Sequence, residues 1–277
     1  MRRQLDLART LQTVTLVAVL PFVASCDRGS PDATGGPATM RRLTAEQYRH
    51  AIEDTFGAKV AVAGRFEPDS RRAGLTALGT SLVSVSPSGL EQYEAIARDI
   101  AAQVTSDKLR GDILPCEPSQ IDAHDDRCTE QVLQQVGPGL LRRPLTDKDI
   151  APRLAAAAQT ANTESDFYAG LRLALLSLLA SPEFLFRLEV TEPAPLPEQP
   201  NRLRLSDTSL AGRLSYFLWN RGPDEALLAA AQRGELSDPL VLQREVDRML
   251  ASPRLAGGVR AFFEDVFSFD LFDELNK

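Results

Sequence analysis

Lysine, histidine, cysteine and aromatic residues are all scarce in this 277-residue chain, and each scarcity closes off a class of chemistry. Only Lys59, Lys108, Lys148 and Lys277 carry an ammonium group, and acids outnumber bases 38 to 31. That balance leaves no basic footprint for nucleic acid, whose binding rests on neutralising phosphates. Aromatics make up 6%, which argues against a stacking platform for sugars or bases. The two histidines, His50 and His124, stand far apart. No His-Glu-x-x-His, Gly-x-Ser-x-Gly, phosphate loop or dinucleotide glycine fingerprint occurs. No Cys-x-x-Cys-His is there to attach a c-type haem. No cofactor and no metal is therefore expected in this segment, and no catalytic residue is assigned.

What is present begins at the N-terminus. Arg2, Arg3 and Arg9 precede an apolar run from Leu11 to Val23, and Val23-Ala24-Ser25-Cys26 closes it. The run is too short for a stable membrane-spanning helix and has the order of an export signal. The small residues before Cys26 resemble a lipobox, in which the cysteine is lipidated and becomes the new N-terminus. Residues 1–25 are read as a lipoprotein signal and 26–40 as a flexible tether of Gly, Pro, Ser, Asp and Thr. The expected address is the cell envelope, exported and lipid-anchored, with the membrane as one partner and other envelope proteins as further ones. Without the signal the charge balance falls to about −9, and no nucleic acid is expected as a partner.

Cys116 and Cys128 then remain, in a polar loop that also holds Asp122, His124, Asp125 and Asp126. Leftover cysteines in an exported protein usually pair. A metal site with His124 and one of the aspartates is the competing reading, although its spacing matches no standard zinc arrangement. Free thiols are the third.

The fold class read from periodicity is all-α: two helical blocks joined by a Pro-rich linker. Thr44 and Gln47 form a capping box, followed by Tyr48, Ile52 and Phe56 at helical spacing and by Gly57 at the end. Lys59 to Phe66 reads as a short extended piece, and Pro68-Asp69 as a turn. Ser88 with Glu91 signals a second helix bearing Tyr93, Ile96, Ile100 and Val104. Thr129 to Val136 reads as a short helix stopped by Gly137-Pro138-Gly139. Thr146 caps another helix, with Asp147 and Asp149 in its first turn and Pro152 expected to kink it. Ser165 opens Phe167 to Leu179, apolar on nearly every side and so expected at the centre of a domain. Four prolines in 191–202 read as the linker. Four helices follow, opened by Ser206, Pro223, Asp238-Pro239 and Ser252-Pro253; the last carries Leu255, Val259, Phe262, Phe263 and Val266. The ordered modules are 41–110, 111–190 and 203–277.

Four residues are candidates for a cleft. Arg187 and Glu189, crowded by Phe184, Leu185, Phe186 and Leu188, read as a charged pair in apolar surroundings, structural in the plainer reading and a substrate clamp in the sharper one. Arg213 has the same two readings. Trp219 reads as a core anchor or a pocket wall. His50 reads as solvated.

Several of these strings together resemble a family of large bacterial envelope proteins first noticed in planctomycetes. Arg41-Arg-Leu-Thr-Ala-Glu-Gln-Tyr48 through Gly57 is similar to its opening module. Leu141-Arg-Arg-Pro-Leu-Thr146, Ala169-Gly-Leu-Arg-Leu-Ala174 and Ser181-Pro-Glu-Phe-Leu-Phe-Arg187 resemble the middle one. Leu205-Ser-Asp207, Arg213-Leu-Ser-Tyr-Phe-Leu-Trp219 and Pro223-Asp-Glu225 resemble the start of domain of unknown function fifteen-ninety-two. Cysteines ahead of the Arg-Arg-Pro-Leu-Thr string also resemble the family pattern, which supports pairing Cys116 with Cys128. The resemblance implies an exported, helical, multi-module protein with no established reaction. It also implies that the third module would still be running at Lys277, so an incomplete C-terminal module is expected. The expected function is a non-catalytic binding or assembly module of the envelope. The alternative, implied by family company alone, is the N-terminal part of a haem-linked oxidoreductase or of an enzyme degrading extracellular polymers.

Overall fold

The computed structural model describes residues 38–82, 84–196 and 199–269. The export signal, Cys26 and most of the tether lie outside the described residues. The remainder forms a compact unit from Ala38 onward. Its described residues are mostly helical, with twelve α-helices and four short strands.

Strand β1 (Met40–Arg42) leads into α1 (Ala45–Phe56). Thr44 caps α1 as the sequence predicts: the Gln47 N–H donates to Thr44 Oγ1 at 3.2 Å, and the Thr44 N–H donates to Gln47 Oε1 at 3.2 Å. Residues 58–75 contain no strand pairing beyond an isolated bridge between Arg72 and Leu75, so the extended piece expected over 59–66 does not form. A single turn, α2 (Thr76–Gly79), precedes α3 (Pro87–Val104). Ser86, not Ser88, caps α3, with its hydroxyl accepting from the Gly89 N–H at 3.0 Å. Pro87 explains the shift, because its fixed φ suits the first helical position, where an N–H would have no partner.

After a turn of helix, α4 (Arg110–Ile113), comes α5 (Asp126–Leu141). It runs straight through Gly137-Pro138-Gly139, where the sequence reading stopped it, and ends at Arg142 in the left-handed region with φ 59°. A Cβ on Gly137 would stand 2.4 Å from the Leu145 side chain, so that glycine admits a close neighbour rather than ending the helix. Helix α6 (Asp147–Glu164) starts at Thr146, whose N–H and hydroxyl both donate to Asp149 at 2.7 Å. Pro152 lies inside this continuous helix. Ser165 ends α6 with φ 49°, and Asp166 caps α7 (Phe167–Leu179) by accepting from the Tyr168 N–H at 2.8 Å.

Helix α7 is the centre of the first core, as its all-round apolarity implies. Phe167, Leu171, Leu175, Leu178 and Leu179 are buried, and α7 packs against α3, α5 and α6. It approaches α6 closely because Gly170 has no side chain: a Cβ there would lie 2.3 Å from the Ala157 carbonyl oxygen. Tyr48 is fully buried among Phe184, Phe66 and Tyr93, with ring centroids 4.9, 5.2 and 5.9 Å away. Burying side chains of this size contributes about 1.5–3 kcal/mol each. Among the described residues no helix is long and apolar enough to cross a membrane.

Cys116 and Cys128 form a disulfide, with Cα atoms 5.7 Å apart. With both sulfurs in the bridge, the metal reading of this loop is overturned. His124 instead places Nδ1 3.0 Å from Asn162 Oδ1.

The all-α expectation needs a correction at two places. The short helix α8 (Pro182–Leu185) feeds β2 (Phe186–Leu188), which pairs antiparallel with β1. The stretch read as a Pro-rich linker is a hairpin, β3 (Thr191–Leu196) against β4 (Gln199–Leu205). A two-stranded ribbon is all edge, so its prolines need not donate to a ladder, and the register is correspondingly irregular.

The second block packs α9 (Asp207–Trp219) with α10 (Glu225–Gln232), α11 (Pro239–Leu250) and α12 (Leu255–Phe267). Ser206 and Asp238 cap α9 and α11 as predicted. Asp224 caps α10 in place of Pro223, and α12 begins two residues after Pro253. Trp219 anchors this core at 1% exposure, and its Nε1–H donates to the Met249 carbonyl at 3.0 Å. Helix α12 lies close to α9 through Gly258, whose Cβ would stand 2.0 Å from the Leu218 oxygen. Its Val259, Phe262, Phe263, Val266 and Phe267 are exposed.

Candidate functional site

The site grows from the β1–β2 pairing. Its register sets Arg41 directly opposite Arg187. Like charges in that relation repel, and Arg142 adds a third cation nearby. Arg142 is fully engaged: from its left-handed position it donates to the carbonyls of Glu183 and of Phe184, and to that of Phe186 at 2.8 Å. Arg41 donates to Thr39 Oγ1 and to the Ala77 carbonyl, each at 3.0 Å.

Arg187 has no such partners. Its guanidinium lies over the Tyr216 ring, 4.5 Å from the centroid, and its buried Nε has no hydrogen-bond acceptor. Among the described arginines whose side chains are buried or half-buried, it is the one with neither a hydrogen bond nor an ion pair. The pair expected between Arg187 and Glu189 is therefore a misreading. Glu189 pairs with Arg213 instead, accepting from its Nε at 3.0 Å and its Nη2 at 2.6 Å. The Thr39 N–H also donates to Glu189, at 2.9 Å. Helix α9 brings Arg213 into a bidentate approach, which satisfies a carboxylate better than a strand neighbour two residues away.

The titrations follow this geometry. Burial works against the Glu189 charge, but hydrogen bonds from Arg213 and Thr39 and the charges of Arg213 and Arg41 outweigh it, holding the carboxyl below its ordinary value. The hydrogen bond to Glu189 raises Arg213. Burial brings Arg187 down to about 10; Arg41 and Arg142 push the same way, while Tyr216 and Glu189 oppose them. Arg187 is half-buried, and taking an unpaired cation even partly out of water is unfavourable. A cation–π contact contributes about 0.5–2 kcal/mol. The Tyr216 contact therefore leaves Arg187 under-compensated.

Arg187, Glu189, Arg213 and Tyr216 line a cleft of about 170 Å³, with Glu183 and Arg143 at one side and Leu141, Leu188 and Val190 giving it apolar surface. Arg143 is held by Asp149 at 2.8 and 2.9 Å and by Glu183. Three of the four candidate cleft residues thus meet. Trp219 does not line this cleft; it is buried in the second core, where Arg248 and Arg254 lie over its ring. His50, expected in solvent, is half-buried with Nδ1 3.2 Å from the Asn220 carbonyl oxygen. Among the described residues no cluster of three or more His, Cys, Asp or Glu is placed to hold a metal ion.

The sequence reading missed Tyr216, Arg142, Arg143, Glu183 and Thr39. Tyr216 was within reach, since it lies three residues after Arg213 and shares its helix face. The others depend on how β1, β2 and α8 meet.

Three family models match the chain in succession. Residues 41–106 match PSD3, protein of unknown function (DUF1587), and 128–189 match PSD5, protein of unknown function (DUF1595). Residues 205–277 match PSD4, protein of unknown function (DUF1592). The chain carries DUF1587, DUF1595 and DUF1592 modules in that order. No curated protein and no solved structure matches it. The cleft lies where two of the modules meet: Arg187 and Glu189 close the DUF1595 match, and Arg213 and Tyr216 belong to DUF1592. Arg41, opposite Arg187 on β1, begins the DUF1587 match.

Proposed function

We propose that this chain is an exported, lipid-anchored module of the cell envelope that binds or assembles rather than catalyses. The order of basic start, apolar run and Val23-Ala24-Ser25-Cys26 supports the address. The Cys116–Cys128 disulfide fits an oxidising compartment outside the cytoplasm.

The observation that carries the binding role is the junction cleft. It places a partly buried arginine without an acid partner where the DUF1595 and DUF1592 modules meet. Its remaining charges are engaged, Arg213 with Glu189, Arg143 with Asp149 and Glu183, and Arg142 with backbone carbonyls, an arrangement that fixes shape rather than moves protons.

The test compares the intact chain with Cys26→Ser in cell fractions, with incorporation of labelled fatty acid as a second readout. The intact chain should partition with membranes and take up label, and the variant should do neither. A variant that still partitions with membranes and takes up label refutes the lipid anchor. Turnover of a substrate by the purified chain, abolished by a single Arg187 or Glu189 change, would refute the non-catalytic role.

A further inference from the structure

We propose that the Arg187 cleft is a carboxylate-binding site for a small monocarboxylate with a short apolar stem. This deepens the reading of the chain as a binding module and rests on it, but is independent of the lipid anchor.

The argument starts from the charges that face the cleft. Arg142, Arg143, Arg187 and Arg213 supply cations from the end of α5, β2 and α9, and Arg41 stands behind the cleft, opposite Arg187 on β1. Glu183, Glu189 and Asp149 are the nearby anions, and each is already bound by Arg143 or Arg213. A positive excess is left, and it centres on Arg187, the cation with no acceptor. A guanidinium presents a planar fork of N–H donors that matches a carboxylate in two parallel hydrogen bonds. The ring of Tyr216 under the guanidinium restrains it, so the donors are held in place before a ligand arrives. The cross-strand repulsion between Arg41 and Arg187 is offset within the chain only by Glu189, a carboxylate already bound by Arg213. An anion in the cleft would relieve it.

The same surroundings select the kind of anion. Glu183 and Glu189 both line the cleft. Their carboxylates penalise a dianion more than a monoanion, which disfavours phosphate. Leu141, Leu188 and Val190 give the ligand an apolar wall, and a pocket with a few convergent polar groups among apolar ones is the ordinary form of a small-molecule site. The cleft, at about 170 Å³, suits a small acid rather than a folded partner.

The experiment is isothermal titration of the full chain, held in detergent, with sodium butyrate, and in parallel with sodium phosphate and with sodium chloride at matched ionic strength. Butyrate should bind saturably at one site, more tightly than phosphate. Arg187→Met should weaken butyrate by about tenfold or more, the loss of a bidentate charge-assisted pair. Arg172→Gln, which removes an arginine held by Asp166 away from the cleft, should bind as the unaltered chain does. If Arg187→Met does not fold, Gly212→Leu decides: Gly212 lines the cleft, and a Cβ there meets nothing within 4 Å, so leucine should fill the space and abolish binding. Equal butyrate binding by the Arg187 or Gly212 variant, tighter binding of phosphate, or heat no different from sodium chloride each overturns the proposal. Butyrate binding is read in detergent, so a failed lipid anchor leaves its result intact. A null titration by a chain that still partitions with membranes defeats the site alone.

Discussion

Replacing Arg187 by methionine should make the protein more stable, the opposite of what a structural ion-pair residue would do. Burial brings the Arg187 guanidinium from its ordinary value down to about 10. A fall of that size corresponds to on the order of 3 kcal/mol against the charged form. The sign is set by the depressed pKa of a cation. Below pH 10 both the folded and the unfolded chain carry the proton, so the whole penalty is present at neutral pH. It fades only as the pH rises towards the unfolded value. Methionine removes that penalty and keeps an unbranched stem and a polarisable sulfur against the Tyr216 ring. It loses the cation–π contact, about 0.5–2 kcal/mol. The balance is a gain of about 1–2 kcal/mol, similar to what is found when buried charges give way to apolar residues. At roughly 2–4 °C per kcal/mol for a chain of this size, Tm should rise by about 2–8 °C. Trp219, the one tryptophan and buried at 1% exposure, reports urea unfolding by fluorescence, and far-ultraviolet circular dichroism checks that both blocks unfold together. A loss of more than about 1 kcal/mol would refute the reasoning, because it would show that the fold uses the Arg187 charge.

Two further outcomes follow from packing and cross-linking. The Cys116–Cys128 bridge closes a loop with a sequence separation of 12, so replacing both cysteines by alanine should cost about 3 kcal/mol in urea unfolding, and a cost below about 1 kcal/mol would defeat the chain-entropy account. Gly170→Ala should destabilise by about 1–2 kcal/mol net, because its Cβ meets the Ala157 carbonyl at 2.3 Å and overpacking outweighs the gain in helix propensity. Gly212→Ala, also inside a helix but with open space around its Cβ, should stabilise by about 1 kcal/mol. Stabilisation of both glycine variants would show that propensity, not close approach, governs both.

Local signals in the sequence were legible wherever a single residue type suffices. Thr44 with Gln47, Ser206 and Asp238-Pro239 each mark a helix start that the structure keeps. Where two candidates adjoin, the nearer polar residue misled: Ser86 and Asp166 hold the caps assigned to Ser88 and Ser165. The hairpin over 191–205 was invisible, because four prolines mask strand propensity and a ribbon of two edges tolerates them. Helical spacing located α12, but spacing does not say which face finds a partner, and its phenylalanines are exposed. The cleft was half legible. Clustering of Arg187 and Glu189 with aromatics marked the region, but who pairs with whom depends on α9 crossing it, a long-range fact with no local trace.

The arginine richness of the chain has a physical meaning in the structure. Arg42, 1% exposed, binds Glu67 at 2.8 Å and Asp69 at 3.1 Å and donates to the Pro68 carbonyl. Arg142 holds three carbonyls of the α8–β2 turn. Arg248 grips Asp224 through two nitrogens, at 2.7 and 3.0 Å. Each uses several N–H groups in fixed directions, which the single ammonium of lysine cannot supply. Module borders are joined in the same way: Arg213 binds Glu189, and Arg221 reaches Glu53 and Asp54 on α1. Arginines of this kind close the fold through several donors at once. Arg187 is embedded in the same framework, flanked by Arg41 and Arg142, and keeps its donors unspent. A network that binds Glu189 and Glu183 to Arg213 and Arg143 and leaves Arg187 unpaired has the form of a site held open by its surroundings, with stability given up locally in exchange for binding.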